Sequence, residues 1–416
     1  MMTADRPPSP GLAGLDELVT GDAVVAFRDG THRVVDPAVT VARWVPQMHR
    51  FGITRLAELT ELDVIGIPVV QAARPNGRSM SVAQGKGATV AAATASALME
   101  AIETWHAEHL PPSPTCRGSE LDGPIIDASR LPRRATDPFD AERPRTWRAG
   151  VSLATGERRW VPREVIDLDT AGPDEQREFA TSSVGLSSGN VIGEAVAHGL
   201  YEVIERDAWA LAERRVLDGA AARVGVSDLA DRGIGSLMDR FRRAGVAVRL
   251  FDATSDIGIA CLACFIYDEP VNPFRSQPVS FGLGCHPSPS VAASRAITEA
   301  AQSRLTAIAG SRDDLGPNDY AYRRRSDAVE WLRRELAARP VSVDLGELTD
   351  RSSGSIRRDL EATLARLASV GLDDVVVVDL TRPDVGLPVV KVLVPGCEDW
   401  DTGAVTGPRA AEAATR

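Results

Sequence analysis

The chain has 416 residues, 44% hydrophobic and 25% charged, enough to bury a substantial core and unlike a disordered or repetitive polymer. Its net charge of −11, from 47 basic and 58 acidic side chains, argues against a duplex-DNA or anionic-membrane surface as its main partner. No apolar run reaches the roughly 18 residues of a membrane span, and MMTADRPPSPGLAGLDEL lacks a basic region followed by an apolar one, so a cytoplasmic protein is expected.

In chain order, residues 1–20 read as a disordered N-terminal tail, 21–400 as one domain without an obvious internal linker, and 401–416 as a disordered C-terminal tail. The run AVVAF is strand-like, and a turn-rich stretch follows to Asn76. Pro- and Arg-rich segments at 111–147 read as surface connections. The stretch 320–370 carries amphipathic helical patterns, AVEWLRRELAA and DLEATLARLASVG, before the strand-like VVVVDL.

Between these lies a threefold internal echo. A glycine-bearing loop precedes an alanine-rich helix with two acidic or amide groups three residues apart: AQGKGATVAAATASALMEAIETW, GLSSGNVIGEAVAHGLYEVIERDAW and FGLGCHPSPSVAASRAITEAAQSRL. The polar pairs are Glu100 with Glu103, Glu202 with Glu205, and Glu299 with Gln302. At about 100° per residue, Ser96, Glu100 and Glu103 share a face opposite Ala97, Leu98, Ala101 and Ile102. Asn190, Glu194, His198, Glu202 and Glu205 fall in one arc of about 120° on the second helix.

A single Glu-x-x-Glu pair is ordinarily a solvated helix face. Like charges at this spacing, however, cost about 0.2–0.5 kcal/mol unless a cation intervenes, and no basic residue lies between Lys86 and His106. Recurrence on separate helices points to a hard cation bound by oxygen ligands, magnesium before zinc, and magnesium commonly takes substrate phosphates as further ligands. Glycine loops at helix N-termini suit phosphate oxygens. Lys86, one of only two lysines with Lys391, would place a point charge there. Neither a P-loop nor a strand-GxGxxG-helix fingerprint is present at these loops.

Five cysteines, Cys116, Cys261, Cys264, Cys285 and Cys397, form no disulfide framework and fit a reduced compartment. Cys261 and Cys264 lie in the apolar run IACLACFIYD, which reads as a core strand rather than half a zinc site, and Cys285 reads as a small buried hydrophobe rather than a sulfur relay. His198, one turn before Glu202, and His286, beside the third glycine loop, are the candidate catalytic groups. Trp105 and Trp209 close their helices as core residues.

Taken together, the stretches Ser81 to Trp105, Ser182 to Trp209 and Phe281 to Leu305 resemble the YcaO family in order and separation. The resemblance implies an α+β (mixed α/β) YcaO fold with one large catalytic domain and ATP and Mg2+ as cofactors. It implies that Glu100, Glu103, Glu194, Glu202 and Glu205 hold magnesium, and that Lys86, Ser96, Ser187, Asn190, Arg206, Gln302 and Arg304 position ATP.

The stretches GITRLAELTELDVIGIPVVQAARPN and VVKVLVPGCE look like the branch that works with a TfuA partner in thioamide formation, with Cys397 where that branch usually has leucine. The chain ends GPRAAEAATR rather than in the proline-rich segment of azoline-forming members. The implied reaction adds a nucleophile to a backbone amide, after which the amide oxygen is phosphorylated and lost. Implied partners are a precursor peptide, a TfuA-like or separate peptide-recognition protein, and a second copy of the chain as a homodimer. An azoline- or amidine-forming enzyme shares the site, and a non-catalytic ATP-binding scaffold is the alternative of another class.

Overall fold

The computed structural model describes residues 13–21, 23–134, 138–171, 177–226, 232–270, 279–316, 326–399 and 405–413. The strands are β1 Arg55–Glu58, β2 Val69–Ala73, β3 Val82–Lys86, β4 Thr115–Cys116, β5 Arg145–Ser152, β6 Arg158–Pro162 and β7 Leu186–Ser188, then β8 Arg223–Gly225, β9 Val246–Asp252, β10 Cys261–Asp268, β11 Ser280–Cys285, β12 Val343–Asp344, β13 Val376–Asp379 and β14 Val389–Leu393. The helices are α1 Ala13–Leu18, α2 Pro37–Trp44, α3 Val90–Glu108, α4 Ile192–Asp218, α5 Arg232–Ala244, α6 Pro289–Ala309, α7 Ser326–Ala338, α8 Ile356–Ser369 and α9 Pro408–Ala413.

The strands form three sheets, in the orders β1-β2-β3, β11-β10-β9-β8-β12 and β4-β5-β13-β14-β7, with β6 paired to β5. Nearly all pairings are antiparallel, β8 with β12 being parallel. This is the mixed α/β architecture expected. In each repeated unit, an edge strand of a different sheet leads into the helix: β3 into α3, β7 into α4, and β11 into α6.

Helix α4 lies at the centre, between two sheets. Along β14, Val390 and Val392 join the core around α4, whereas Val389 and Leu393 join the core around α3. Along β10, Cys261, Ala263, Phe265 and Tyr267 face α4, and Leu262, Cys264 and Ile266 face α6. A strand covered on both faces needs no polar alternation, which explains the continuous apolar run at IACLACFIYD. Cys261 and Cys264 are therefore fully buried core residues with free thiols, as read from the sequence.

The glycines of the echo have a different use from the one expected. They lie in or beside the strands and allow strand and helix backbones to touch. A Cβ on Gly85 would sit 2.0 Å from Ala97 N and 2.3 Å from Ala93 O, and one on Gly284 would sit 2.0 Å from Ala292 O. In the second unit the close approach is mirrored, with Gly199 on the helix lying against Ser187 and Gly185. The alanine richness of α3 and α6 belongs to the same packing, since a larger side chain would hold the strand away. Thr89 caps α3 by accepting from Ala92 N at 3.2 Å, and left-handed Gly219 and Gly310 end α4 and α6.

Both tails are more ordered where described than the sequence suggests. Residues 13–18 form α1, with Leu15 fully buried and its N–H bonded to Leu153 O at 3.0 Å. One helical turn with a single anchoring leucine leaves little periodic signal. Near the other end, Arg409 of α9 pairs with buried Asp207 at 2.9 Å and Asp256 at 2.7 Å, an ion pair too distant in sequence to read. The remaining tail residues, 1–12, 401–404 and 414–416, lie outside the described residues. AVVAF forms only isolated bridges, Val24 with Ser355 and Phe27 with Arg33. No described helix is long and apolar enough to cross a membrane.

Candidate functional site

The three units converge through their polar faces. Lys86, at the end of β3, donates to Glu299 of α6 at 2.7 Å, joining the first unit to the third. Ser188, at the end of β7, donates to Glu103 of α3 from its backbone N (2.7 Å) and its Oγ (2.6 Å), joining the second to the first. Gln302 donates to Gln84 O across the same seam, and Glu202 accepts from Gly185 N at 3.1 Å.

Five carboxylates thereby share one electrostatic environment: Glu100 and Glu103 from α3, Glu202 and Glu205 from α4, and Glu299 from α6. Burial pushes the Glu100 carboxyl up to about 7, with Lys86 and Arg312 opposing and Glu202 and Glu299 adding. Burial pushes Glu103 up to about 8 against the Ser188 hydrogen bond, with Glu100 and Glu202 adding. Burial also raises Glu202 and Glu205. Glu299 goes the other way: burial works against its charge, but Lys86, Arg206 and Arg295 hold it below its ordinary value.

These groups have the right chemistry for a hard cation. Glu205 Oε2 is buried without a hydrogen-bond partner, and burial raises four of the acids above their ordinary values, a cost that a bound cation would relieve. No three described His, Cys, Asp or Glu side chains converge as a closed metal cage. Magnesium keeps several waters and takes phosphate oxygens as further ligands, so its carboxylates need not close around it by themselves.

The cations at the rim suit phosphate. Arg206 approaches Glu205 only to 3.8 Å, and although burial opposes its charge, Glu205, Glu299 and Glu202 keep it protonated. Arg295, one turn before Glu299 on α6, acts electrostatically on Glu202, Glu205 and Glu299 yet has no hydrogen bond or ion pair among the described residues. Ser96 is half-buried and likewise has no hydrogen bond to a described group. Lys86, Arg206 and Gln302 thus meet along this seam together with Arg295 and Glu299, and Ser96 lies one turn before Glu100 on α3. Nothing local distinguishes Arg295 in a chain whose basic residues are nearly all arginine.

Other expected ligands are occupied elsewhere. Arg304 is 1% exposed and paired with Asp63 at 2.9 Å and Asp268 at 3.1 Å, so it ties α6 to its sheet. Ser187 is fully buried and donates to Ala195 O at 2.7 Å; strand alternation turns the neighbouring Ser188 toward Glu103 instead. Glu194 accepts from Asn190 N (2.6 Å), Asn190 Nδ2 (3.0 Å) and Val34 N (3.0 Å), and Asn190 Oδ1 accepts from Thr40. Both residues secure the start of α4 to the N-terminal segment.

His198 and His286 are neighbours, but neither is arranged as a general acid. Arg33 Nη2 donates to His198 Nδ1 at 3.1 Å, and Ser288 N donates to His286 Nδ1 at 2.9 Å. Burial holds both rings well below the ordinary histidine value, with Arg295 and Arg33 among the charges reinforcing it. In each ring Nδ1 faces an N–H donor, which leaves Nε2 to carry the ring proton. Trp209 is buried against Phe281, whereas Trp105 is half-buried, stacked on His109 and covered by Arg382.

A family model described as YcaO cyclodehydratase, ATP- and Mg2+-binding, matches residues 84–398. The chain is 40% identical over 393 residues to a protein encoded in the tfuA 3′ region of Rhizobium leguminosarum bv. trifolii, covering 92% of this chain and 93% of that one. It is 38% identical over 370 residues to an uncharacterized protein of Methanothermobacter thermautotrophicus, covering 88% and 95%. Among solved structures it is similar to YcaO from Methanopyrus kandleri bound with AMPPCP and Mg2+, with a TM-score of 0.74 at 25% identity over 92% of this chain and 98% of that one. A heterocyclase in complex with substrate and cofactor shares the fold, with a TM-score of 0.71 at 23% identity over 92% and 55%.

Proposed function

The chain belongs to the YcaO family, and on that premise we propose that it binds ATP with Mg2+ among α3, α4 and α6 and activates a backbone amide of a peptide. The observation that carries the nucleotide half is the set of five buried carboxylates from three helices, four of them raised by burial, ringed by Lys86, Arg206 and Arg295. The amide half comes from membership in a cyclodehydratase family.

Glu100, Glu103, Glu202, Glu205 and Glu299 hold magnesium, and Lys86, Arg206 and Arg295 receive the phosphate oxygens, with Ser96 and Gln302 beside them. When bound, Mg2+-ATP supplies the phosphoryl group that converts the amide oxygen into a leaving group. The protein's contribution is position and fixed charge. Lys86 is aimed by its ion pair with Glu299, and Glu103 is held toward the centre by Ser188.

For the reaction itself we favour thioamide formation with a TfuA-like partner and a precursor peptide, supported by similarity to a protein encoded beside tfuA. Co-expression of the chain with such a partner and peptide, followed by mass spectrometry, tests this. Exchange of oxygen for sulfur in the peptide is the expected result. Loss of water would replace the reading with azoline formation, and an unmodified peptide would replace it with a scaffold.

A further inference from the structure

Beside the carboxylate cluster, and sharing Arg295 with its rim, lies a small cavity of about 20 Å³ lined by His32, Arg33, His198, Tyr201, His286 and Arg295. That is room for one atom-sized occupant. His32 and His286 meet edge to face at 4.8 Å, and Tyr201 packs against His286 at 5.2 Å, so ring contacts hold His286 from two sides.

Three groups around this space, His198, His286 and Arg295, keep donors with nothing in the described protein to donate to, whereas Arg33 is engaged with His32 O and His198 Nδ1 and Tyr201 with Thr363. Because Nδ1 of both His198 and His286 already accepts, Nε2–H is the remaining function of each ring, and it has no hydrogen-bond partner among the described residues. Arg295 is likewise unpaired there, and His32 Nδ1 is buried without a partner. The two carboxylates at the margin are engaged: Glu194 as described, and Asp359 by Ser353 N at 2.6 Å and Ser353 Oγ at 2.7 Å. The rest of the lining, Val25, Ala197 and Ile356, is apolar.

Unsatisfied N–H donors beside apolar walls favour a compact anion that sheds water easily over water or hydroxide. Arg295 connects this cavity to the phosphate side, since it lines the one and acts on Glu202, Glu205 and Glu299 of the other. We propose that the cavity binds hydrosulfide and presents it to the activated amide, with His198 and His286 as its hydrogen-bond donors.

This proposal rests on the thioamide reading. The C–S bond forms as hydrosulfide adds to the amide carbon; the carbonyl π pair moves to oxygen, which takes the γ-phosphoryl group. The C–O bond then breaks, so amide, hydrosulfide and ATP give thioamide, ADP and phosphate, with the sulfur-borne proton ending on phosphate. Nothing is oxidised or reduced.

Two measurements test the assignment. With peptide, partner, ATP and sodium hydrosulfide, His198→Leu and His286→Leu are expected to raise KM for sulfide about 10-fold each, the loss of one donor to a charged acceptor, while His286→Asn restores part of it. Magnesium-dependent nucleotide affinity reports whether each variant is folded. In wild-type crystals soaked in sodium bromide, anomalous density is expected in the cavity beside His286.

Thioamide formation with KM for sulfide unchanged in both leucine variants, or bromide density confined to other places, overturns the hydrosulfide site and leaves the thioamide reading intact. Absence of thioamide from the wild-type protein with every component present overturns both.

Discussion

Glu205 Oε2 is buried with no donor beside it, and the Glu100 and Glu103 carboxyls are pushed up to about 7 and about 8. Burial is the main cause in both, and the neighbouring carboxylates add to it. Without a cation the folded chain therefore holds protons that the unfolded chain has already released. Between about pH 5 and pH 8, stability in the absence of metal should fall as pH rises, because the folded state is the one binding more protons there. Glu103→Gln removes one such group, so in EDTA its melting temperature should exceed that of the wild type at pH 8 and lose part of the decline between pH 5.5 and pH 8. Parallel pH profiles for the two proteins would contradict the reading of these carboxyls as raised by burial. At this scale the sequence was informative about spacing and silent about partners. The acidic stripes were visible because 3.6-residue periodicity is local. Arg304 and Ser187 are engaged away from the cluster, because an ion pair to Asp63 and the facing of a three-residue strand are decided by other parts of the chain. Arg295 and the neutrality of His198 and His286 likewise depend on packing between units.

At the scale of elements, the repeated strand and helix was legible, but the role of its glycines was not. A glycine before a helix reads equally well as a phosphate cradle or as a close backbone contact, and only the distances from Gly85, Gly284 and Gly199 decide for contact. That contact fixes where Lys86 ends up, since β3 cannot lie on α3 if Gly85 carries a side chain. Gly85→Ala should destabilise the protein by about 1–3 kcal/mol through overpacking and weaken nucleotide binding by shifting Lys86. Urea denaturation and calorimetric titration of the variant would show both effects; unchanged stability would mean that the strand has slack that the backbone distances deny. The short terminal helices α1 and α9 escaped notice for a related reason, because each is anchored by one or two residues, Leu15 or Arg409, whose partners are remote in sequence.

For the molecule as a whole, β1-β2-β3 and β8 to β11 pair consecutive strands, but the central sheet was not foreseeable, since it joins strands far apart in the chain, as β7 does with β14 and β5 with β13. Their consequence is that α4 is enclosed between two sheets, while α3 and α6 approach its polar face from units in two different sheets. A site divided among three independently supported helices can keep five carboxylates near one another because the cores behind them offset the repulsion in front. The central claim is that these carboxylates hold magnesium with ATP, and calorimetric titration of a non-hydrolysable ATP analogue with and without Mg2+ addresses it directly. Wild-type protein should bind the nucleotide tightly only with Mg2+, and Glu202→Gln with Glu205→Gln together should abolish that dependence while leaving the protein folded. Magnesium-dependent binding that persists unchanged in the double variant would contradict the account.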